Sequence, residues 1–448
     1  MVETYRPNEI TIESVVITNF EGKALNLSNI LKKFTVQENI FQNTMSATVE
    51  ILNSIALVEK LPIVGEEFII MRFHTPGERM KEYVFYLDSF NRVQYADRAE
   101  ILELYLVSVE EMVDRFSSVD KSFKNTSIQE IVKAIYTSNI RGAVKYPSGS
   151  DIVVKRKPLE ISPTQGSHSF VSSHSPFTFI KYLAAQAESP TYPDSDFIFF
   201  ENYRGFYFKT VSELSTGEVV DNFYYGYNTN VDFSNSGEVK QYQVISSLTF
   251  SNSTDMINNT DLGLFSNEVC FFDPLTKTYK ETSFNYYKDY DQFKQPLGQS
   301  KVISEKSFLS IPQPSSSHTR YIQSTDLVNY EAMEYIKNND SSAVKNGFRR
   351  HRFLNRLITK AALTTNTIGI NFVIPGNTTL IAGQVVNVFV PEGSQEKESL
   401  RKFNYFFGKD NPKFLITGLK HYYENNQFYT LLDCVKAGYG RRIKSRNE

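Results

Sequence analysis

The hydrophobic pattern divides the chain into stretches of period two and stretches of period 3.6. Between residues 10 and 109, apolar and polar positions alternate in six short runs: ITIESVVITNF (10–20), FTVQENI (34–40), MSATVEILN (45–53), EFIIMRF (67–73), EYVFYLDSF (82–90) and EILELYLVSV (100–109). Successive side chains of a strand point to opposite faces, so each run predicts a strand with one buried face. Turn-forming pieces such as EGKA, HTPGER and NRVQYADR separate them. Six strands at this spacing predict a small antiparallel barrel or sandwich. Near residue 113 the period changes. In SIQEIVKAIYTSN (127–139), Ile128, Ile131, Val132 and Ile135 fall at i, i+3, i+4 and i+7, with Ser127 and Glu130 spaced as a capping box. That predicts an amphipathic helix. A second helix is expected over SPFTFIKYLAAQAESP (175–190), with Ser175 as cap, Pro176 in the first turn, Pro190 as the stop, and Phe177, Ile180, Leu183, Ala184 and Ala187 as its apolar stripe. DFIFFENYRGFYFKTV (196–211) then predicts a hairpin turning near 202–205.

Strand patterning returns after residue 240, in QYQVISSLTFSN and NEVCFFDPLTKTYKETSF. Residues 286–350 differ: KQPLGQS and IPQPSSSHTR precede a helical pattern over DLVNYEAMEYIKN (326–338). This stretch reads as an insertion with a surface loop and one or two helices. Strands resume over 353–436 and end in a clear hairpin, FLITGLKHYY–ENNQ–FYTLLDCVK (414–436). The two β-rich regions resemble each other. PIVGEEFIIMRF (62–73) and LIAGQVVNVFV (380–390) share an apolar pair, a Gly and a β run; each is followed by two more strands; and LKKFTVQENIFQ (31–42) resembles SLTFSNSTDMIN (247–258). Three matches in one order predict a weak internal duplication. The expected fold is mainly β (α+β): two related small antiparallel β-barrels, with an α+β domain between them and a helical and loop insertion in the second barrel. The expected spans are 1–112 for the first barrel, 113–239 for the α+β domain, 240–285 with 351–440 for the second barrel, 286–350 for the insertion and 441–448 for a basic tail.

Composition supports this picture. Hydrophobic residues are 41% and charged residues 22% of 448, enough for a real core across two to four domains of ~100–200 residues. Phe 35 and Tyr 27, with no Trp, suit half-buried strands. A net charge of −2 sets up no field that recruits nucleic acid or membrane. Cys270 and Cys434 lie far apart among apolar neighbours, so buried thiols in a reducing compartment are expected. MVETYRPNEI has no signal-peptide pattern, and no run approaches the ~18 apolar residues of a membrane span. The chain is therefore expected to be made in the cytosol, without stable membrane insertion.

Chemistry is thin. The histidines are His74, His168, His174, His318, His351 and His421. His168 and His174 are six apart, which fits neither a zinc helix nor a mixed Cys/His site, and they read as turn or surface residues of a Ser-rich loop. There is no G-x-S-x-G elbow and no phosphate-binding loop; GKDNPK (408–413) lacks the following Ser or Thr. The acidic stretches SVEEMVDRF (108–116) and EGSQEKESL (392–400) read as solvated helix or loop faces. KNGFRRHRFLNR (345–356) reads as a basic face at the edge of the insertion, and YGRRIKSRNE (439–448) as a flexible tail. We expect no catalytic, cofactor-binding or metal-binding residues, and no enzyme activity.

The motifs in their order resemble the central baseplate hub of contractile-tailed bacteriophages and the hub part of type VI secretion spike proteins. SIQEIVKAIYTSN, SPFTFIKYLAAQA, DFIFFENYRGFYFKTVSEL with its Gly-Phe-x-Phe hairpin, FFDPLTKTY (271–279), LIAGQVVNVFVPE and FLITGLKHYYENNQFYTLLDCVKAGYG carry the likeness. The resemblance implies a structural virion protein of the tail baseplate, assembled in the host cytoplasm. It implies a homotrimer whose two barrels per chain make a pseudo-six-fold ring, joining a six-fold tail tube to a three-fold central spike. The expected partners are further copies of the chain, the spike protein, the tube or tube-initiator protein, the baseplate wedge proteins and the tape-measure protein. The resemblance further implies that at cell puncturing the spike is shed and DNA ejection runs through the lumen without specific binding. Two other readings compete: a tail-associated envelope-degrading enzyme, and a tail-tip receptor or carbohydrate-binding protein whose aromatics stack on sugars.

Overall fold

The computed structural model describes residues 8–19, 21–53, 63, 65–95, 99–144, 156–190, 196–225, 243–252, 266–273, 278–285, 319–323, 367–390 and 412–437. The protein is mostly β, with large antiparallel sheets and few helices.

The first region holds β1 (Thr11–Thr18), β2 (Ala24–Asn26), β3 (Leu31–Asn39), β4 (Ser46–Leu52), β5 (Phe68–His74), β6 (Lys81–Tyr95) and β7 (Ala99–Ser108). The six strands expected from alternation are all present. The short β2 was not expected, because three residues are too few to show a period. The strands pair antiparallel in the order β3-β4-β7-β6-β5-β1-β2. Inward positions such as Val36, Val49, Met71, Phe85 and Leu104 build one core.

The middle region runs α1 (Val109–Phe116), β8 (Val119–Thr126), α2 (Ile128–Ile135), β9 (Leu159–Ile161), β10 (His168–His174), α3 (Pro176–Gln186), β11 (Phe197–Asn202), β12 (Gly205–Thr210) and α4 (Val211–Ser215). The capping box at Ser127 and Glu130 forms as expected, and α2 continues into a π-helical turn over Tyr136–Arg141. The predicted stripes of α2 and α3 meet Phe197, Phe199, Phe206 and Phe208 of the hairpin in a single core. Three local expectations change. α3 stops at Gln186, before Pro190, because Ala187 is already extended, and the Ser175 hydroxyl bonds Thr178 rather than a backbone amide. HSFVSSH forms a strand, not a loop, since β8 supplies its hydrogen bonds. The acidic SVEEMVDRF stretch is α1, and it buries Glu110 and Asp114.

The last region holds β13 (Val219–Tyr225), β14 (Val244–Ile245), β15 (Ser247–Asn252), β16 (Ser266–Asp273), β17 (Thr278–Asn285), β18 (Thr319–Gln323), β19 (Thr367–Pro375), β20 (Val385–Phe389), β21 (Lys413–Glu424) and β22 (Gln427–Ala437). Five strands pair antiparallel in the order β15-β19-β22-β21-β20, and β13 adds to β20 in parallel. β13 also takes β14 on its other side. The β21–β22 hairpin turns at Asn425 and Asn426, with φ of 52° and 59°. Left-handed residues at both turn positions match the twist of the two strands. β16 and β17 form their own sheet with β18, which lies inside the span read as an insertion. The helix expected at 326–338 falls outside the described residues.

The two β regions have corresponding strand orders. β3-β4-β7-β6-β5-β1 in the first matches β15-β19-β22-β21-β20-β13 in the second, with only the direction of the final pair differing. Gly65 and Gly383, the glycines that prompted the sequence match, share φ values of 93° and 90°. One strand joins the regions. The first part of β21 pairs with β20 through Lys413–Leu415, and its second part pairs with β3 through Gly418–Glu424. The change of partner falls where the β21–β22 register shifts, between Ile416 and Gly418. A Cβ on Gly418 would stand 2.8 Å from Asp433 Oδ2, so a side chain at the crossing would require the Asp433 carboxylate to shift.

Candidate functional site

A network of buried polar side chains lies where the middle region meets both β regions. The strand registers bring the end of β3, the start of β4, the end of β7 and the start of β6 to one end of the first sheet. The β11–β12 hairpin docks there by its turn, Tyr203–Arg204. Gly205 permits the turn: its φ is 149°, and a Cβ there would lie 2.5 Å from the Pro158 carbonyl oxygen. Only glycine tolerates both conditions. The same carbonyl accepts the Phe206 amide at 2.9 Å. This is a physical reason for the glycine of the Gly-Phe-x-Phe motif.

Two buried carboxylates hold the hairpin. Glu38 of β3 accepts the Tyr203 amide at 3.1 Å on one oxygen and the Ala382 amide at 2.9 Å on the other. One side chain thus ties the first sheet to the hairpin and to the loop before β20. Glu201 of β11 accepts the Met45 amide at 2.9 Å and the Ser108 hydroxyl at 2.6 Å, and its second oxygen pairs with Lys157. Lys157 also holds Glu110 of α1 at 2.8 Å. Asn202 completes the clamp by donating to the Ala382 carbonyl at 3.0 Å.

Electrostatics follow from burial. Desolvation pushes Glu201 up to about 7, aided by Glu110 and opposed by Lys157. Lys157 pays the same desolvation, but its two carboxylates outweigh it and raise the ammonium above its ordinary value. Burial also raises Glu38, against the pull of Lys81 and the two amides. Lys81 is lowered to about 8 by burial, which Glu38 only partly offsets. Its ammonium sits 4.3 Å from the centroid of the Tyr203 ring. The carboxylates act as fasteners: their oxygens are taken by backbone amides, a hydroxyl and an ammonium, and they are closed to solvent.

Beside the hairpin lies an open groove of about 460 Å³, lined by Arg204, Tyr207, Lys209, Glu213 and the 381–385 loop among others. Lys209 is paired with Glu160 at 3.2 Å and Glu213 at 3.5 Å. The groove lining contains no histidine or cysteine. Among the described residues, no three His, Cys, Asp or Glu side chains gather as metal ligands.

The residues weighed in the sequence are dispersed. His168 and His174 stand on β10, and His168 stacks on Phe170 at 5.7 Å. Cys434 is a buried free thiol. The hairpin phenylalanines that could have stacked on sugars are core. Both basic stretches and EGSQEKESL lie outside the described residues, and GKDNPK shows only Pro412 and Lys413. Sequence reasoning missed Glu38, Lys81, Glu110, Lys157 and Glu201. A signal existed for three of them. Glu38 follows Phe34 and Val36 on the inward face, Glu201 follows Phe197 and Phe199, and Lys81 precedes Tyr83 and Phe85. A charge that continues an apolar alternation is a charge placed in the core.

The fold has solved counterparts. A tail protein from Neisseria meningitidis MC58 aligns at a TM-score of 0.50 and 10% identity, covering 95% of this chain and 97% of that one. The 43 kDa tail protein of prophage MuSo2 from Shewanella oneidensis aligns at 0.51 and 10%, covering 95% and 98%. A type VI secretion component of E. coli aligns at 0.42 and 10%, covering 97% and 79%. No protein-family model and no curated protein matches the sequence. The fold is thus that of phage tail proteins, in line with the hub resemblance carried by the sequence motifs.

Proposed function

We propose that the chain is a structural baseplate hub: a homotrimer forming a pseudo-six-fold ring between a six-fold tail tube and a three-fold central spike. The observation that carries this reading is the matched strand order of the two β regions, joined by the β21–β3 seam. In this reading each region is one tube-type barrel. In the second region, β14 pairs with β13 and runs on into β15, which pairs with β19, so the strands follow one another around a closed path. In the first, the Phe428 amide of the neighbouring hairpin bonds the Asn8 carbonyl just before β1.

A ring needs the same seam between copies as within one. The strand corresponding to β21 is β6, and the strand corresponding to β3 is β15. β5 pairs only with the first part of β6, Lys81–Tyr86, just as β20 pairs only with the first part of β21. The later part of β6 in one copy would then meet β15 of the next, and three copies would close the ring. The buried carboxylate clamp keeps the middle region fixed to both barrels while force passes along the axis. The spike, tube, wedge and tape-measure proteins are the proposed partners, DNA passes through the lumen without specific contacts, and the protein works in the virion without chemistry of its own.

Light scattering on the full chain, alone and co-purified with its neighbouring tail proteins, tests the trimer; one copy per particle in both arms refutes it. Cysteine scanning of residues 88–92 against 247–249 tests the seam, with disulfide-linked copies expected for one register.

A further inference from the structure

We propose that, at the mouth of the first sheet, ordered water bridges the buried Lys81 ammonium to Tyr83 and His421 under the Tyr203 ring. Four polar side chains face this space from three strands. Glu38 continues the inward row of Phe34 and Val36 on β3, Lys81 and Tyr83 share the inward face of β6, and His421 of β21 lies opposite Val36. The rings fix their proximity. Tyr203 lies 4.9 Å from Tyr83 and 4.3 Å from the Lys81 ammonium, while Phe73 touches both Tyr83, at 5.3 Å, and His421, at 6.4 Å.

Glu38 and His421 are 0% exposed, Tyr83 2% and Lys81 9%. Yet Lys81 Nζ, Tyr83 Oη and His421 Nε2 have no hydrogen-bond partner among the described residues. Nδ1 of His421 is satisfied by Thr430 at 3.2 Å. Three buried polar atoms left unmet would weigh heavily against the marginal stability of a domain. Both Glu38 oxygens face backbone amides, so Lys81 is held in its field without a direct contact, and burial outweighs that field at the ammonium.

The wall chooses the ligand. One carboxylate and one ammonium balance, so an added anion would sit against Glu38 and an added cation against Lys81. Water is neutral, accepts from Lys81 and Tyr83, and can donate or accept at His421. A polar space with several converging partners is the kind that holds buried water.

A crystal structure of the full chain at about 1.5 Å should show solvent within about 2.6–3.2 Å of both Lys81 Nζ and Tyr83 Oη. A dry space, a direct Lys81–Glu38 contact, or an anomalous peak there after a bromide soak overturns the proposal. Tyr83→Phe supplies an independent reading. Loss of a bridging partner should lower the folding equilibrium constant about tenfold, whereas an unmet hydroxyl would make the variant equally or more stable, which also overturns it.

Discussion

Replacing Glu201 with Gln should change how stability depends on pH, in the direction opposite to an ordinary salt bridge. The Glu201 carboxyl has its folded value raised from 4.5 to about 7, chiefly by burial. A raised acid binds its proton more tightly in the folded chain than in the unfolded one. Between these two values the folded state therefore holds more protons, and stability falls as pH rises. Below about 4.5 the contribution is constant, and above about 7 the full penalty has been incurred. At about 1.4 kcal/mol per pKa unit, a shift of that size is worth about 3 kcal/mol. The glutamine side chain has no charge to desolvate, so the stability of the Glu201→Gln variant carries no such slope. At pH 5 the folded carboxyl is protonated, so no charge-assisted bond is at stake there; the variant, whose amide NH2 must face a donor, should be less stable than the parent at pH 5 by about 1 kcal/mol. Urea unfolding followed at pH 5, 6, 7 and 8 should show the variant gaining on the parent by about 2.5 kcal/mol across that range. Hydrogen exchange at the Met45 amide, which Glu201 accepts, gives a local check on the same quantity. A gap that stays constant, or widens with pH, would refute the assignment of Glu201 as a desolvated acid.

Other substitutions probe separate parts of the argument. Gly205→Ala should destabilise by 2 kcal/mol or more on an order-of-magnitude scale, read by thermal unfolding, because its Cβ would meet the Pro158 carbonyl at 2.5 Å. Ser127→Ala should cost about 1 kcal/mol by removing the hydroxyl that caps α2 at the Glu130 amide, with a drop in melting temperature as the readout. Replacing Asn425 and Asn426 together by Ala should cost about 2 kcal/mol in denaturant unfolding, since both hold positive φ; Gly at both positions should recover most of it.

Local order was largely legible in the sequence. The six alternating runs of the first region, the capped helix at 127, the Phe-rich hairpin and the final hairpin all form where the pattern puts them, because each period is set by neighbours along the chain. β2 and β9 are too short to show a period. β10 and the burial of α1 were misread for another reason: Ser-rich and acidic stretches look solvated until β8 and Lys157 supply their partners. The three-part sequence match also found the correspondence of the two β regions, though not its extent.

The sequence by itself determined which residues alternate, where helices start, and which three segments of the two β regions resemble each other. Only the tertiary structure decided that β21 joins the two β regions into one continuous sheet, and that Glu38, Glu201 and Lys157 meet at their junction. Glu38 and Ala382 are separated by 344 positions, and Met45 and Glu201 by 156. A carboxylate in an apolar run is costly until its amides arrive, and those amides come from segments that no local pattern connects. The same junction holds the Lys81 ammonium against the Tyr203 ring, a contact that exists only once the hairpin has docked on the finished sheet.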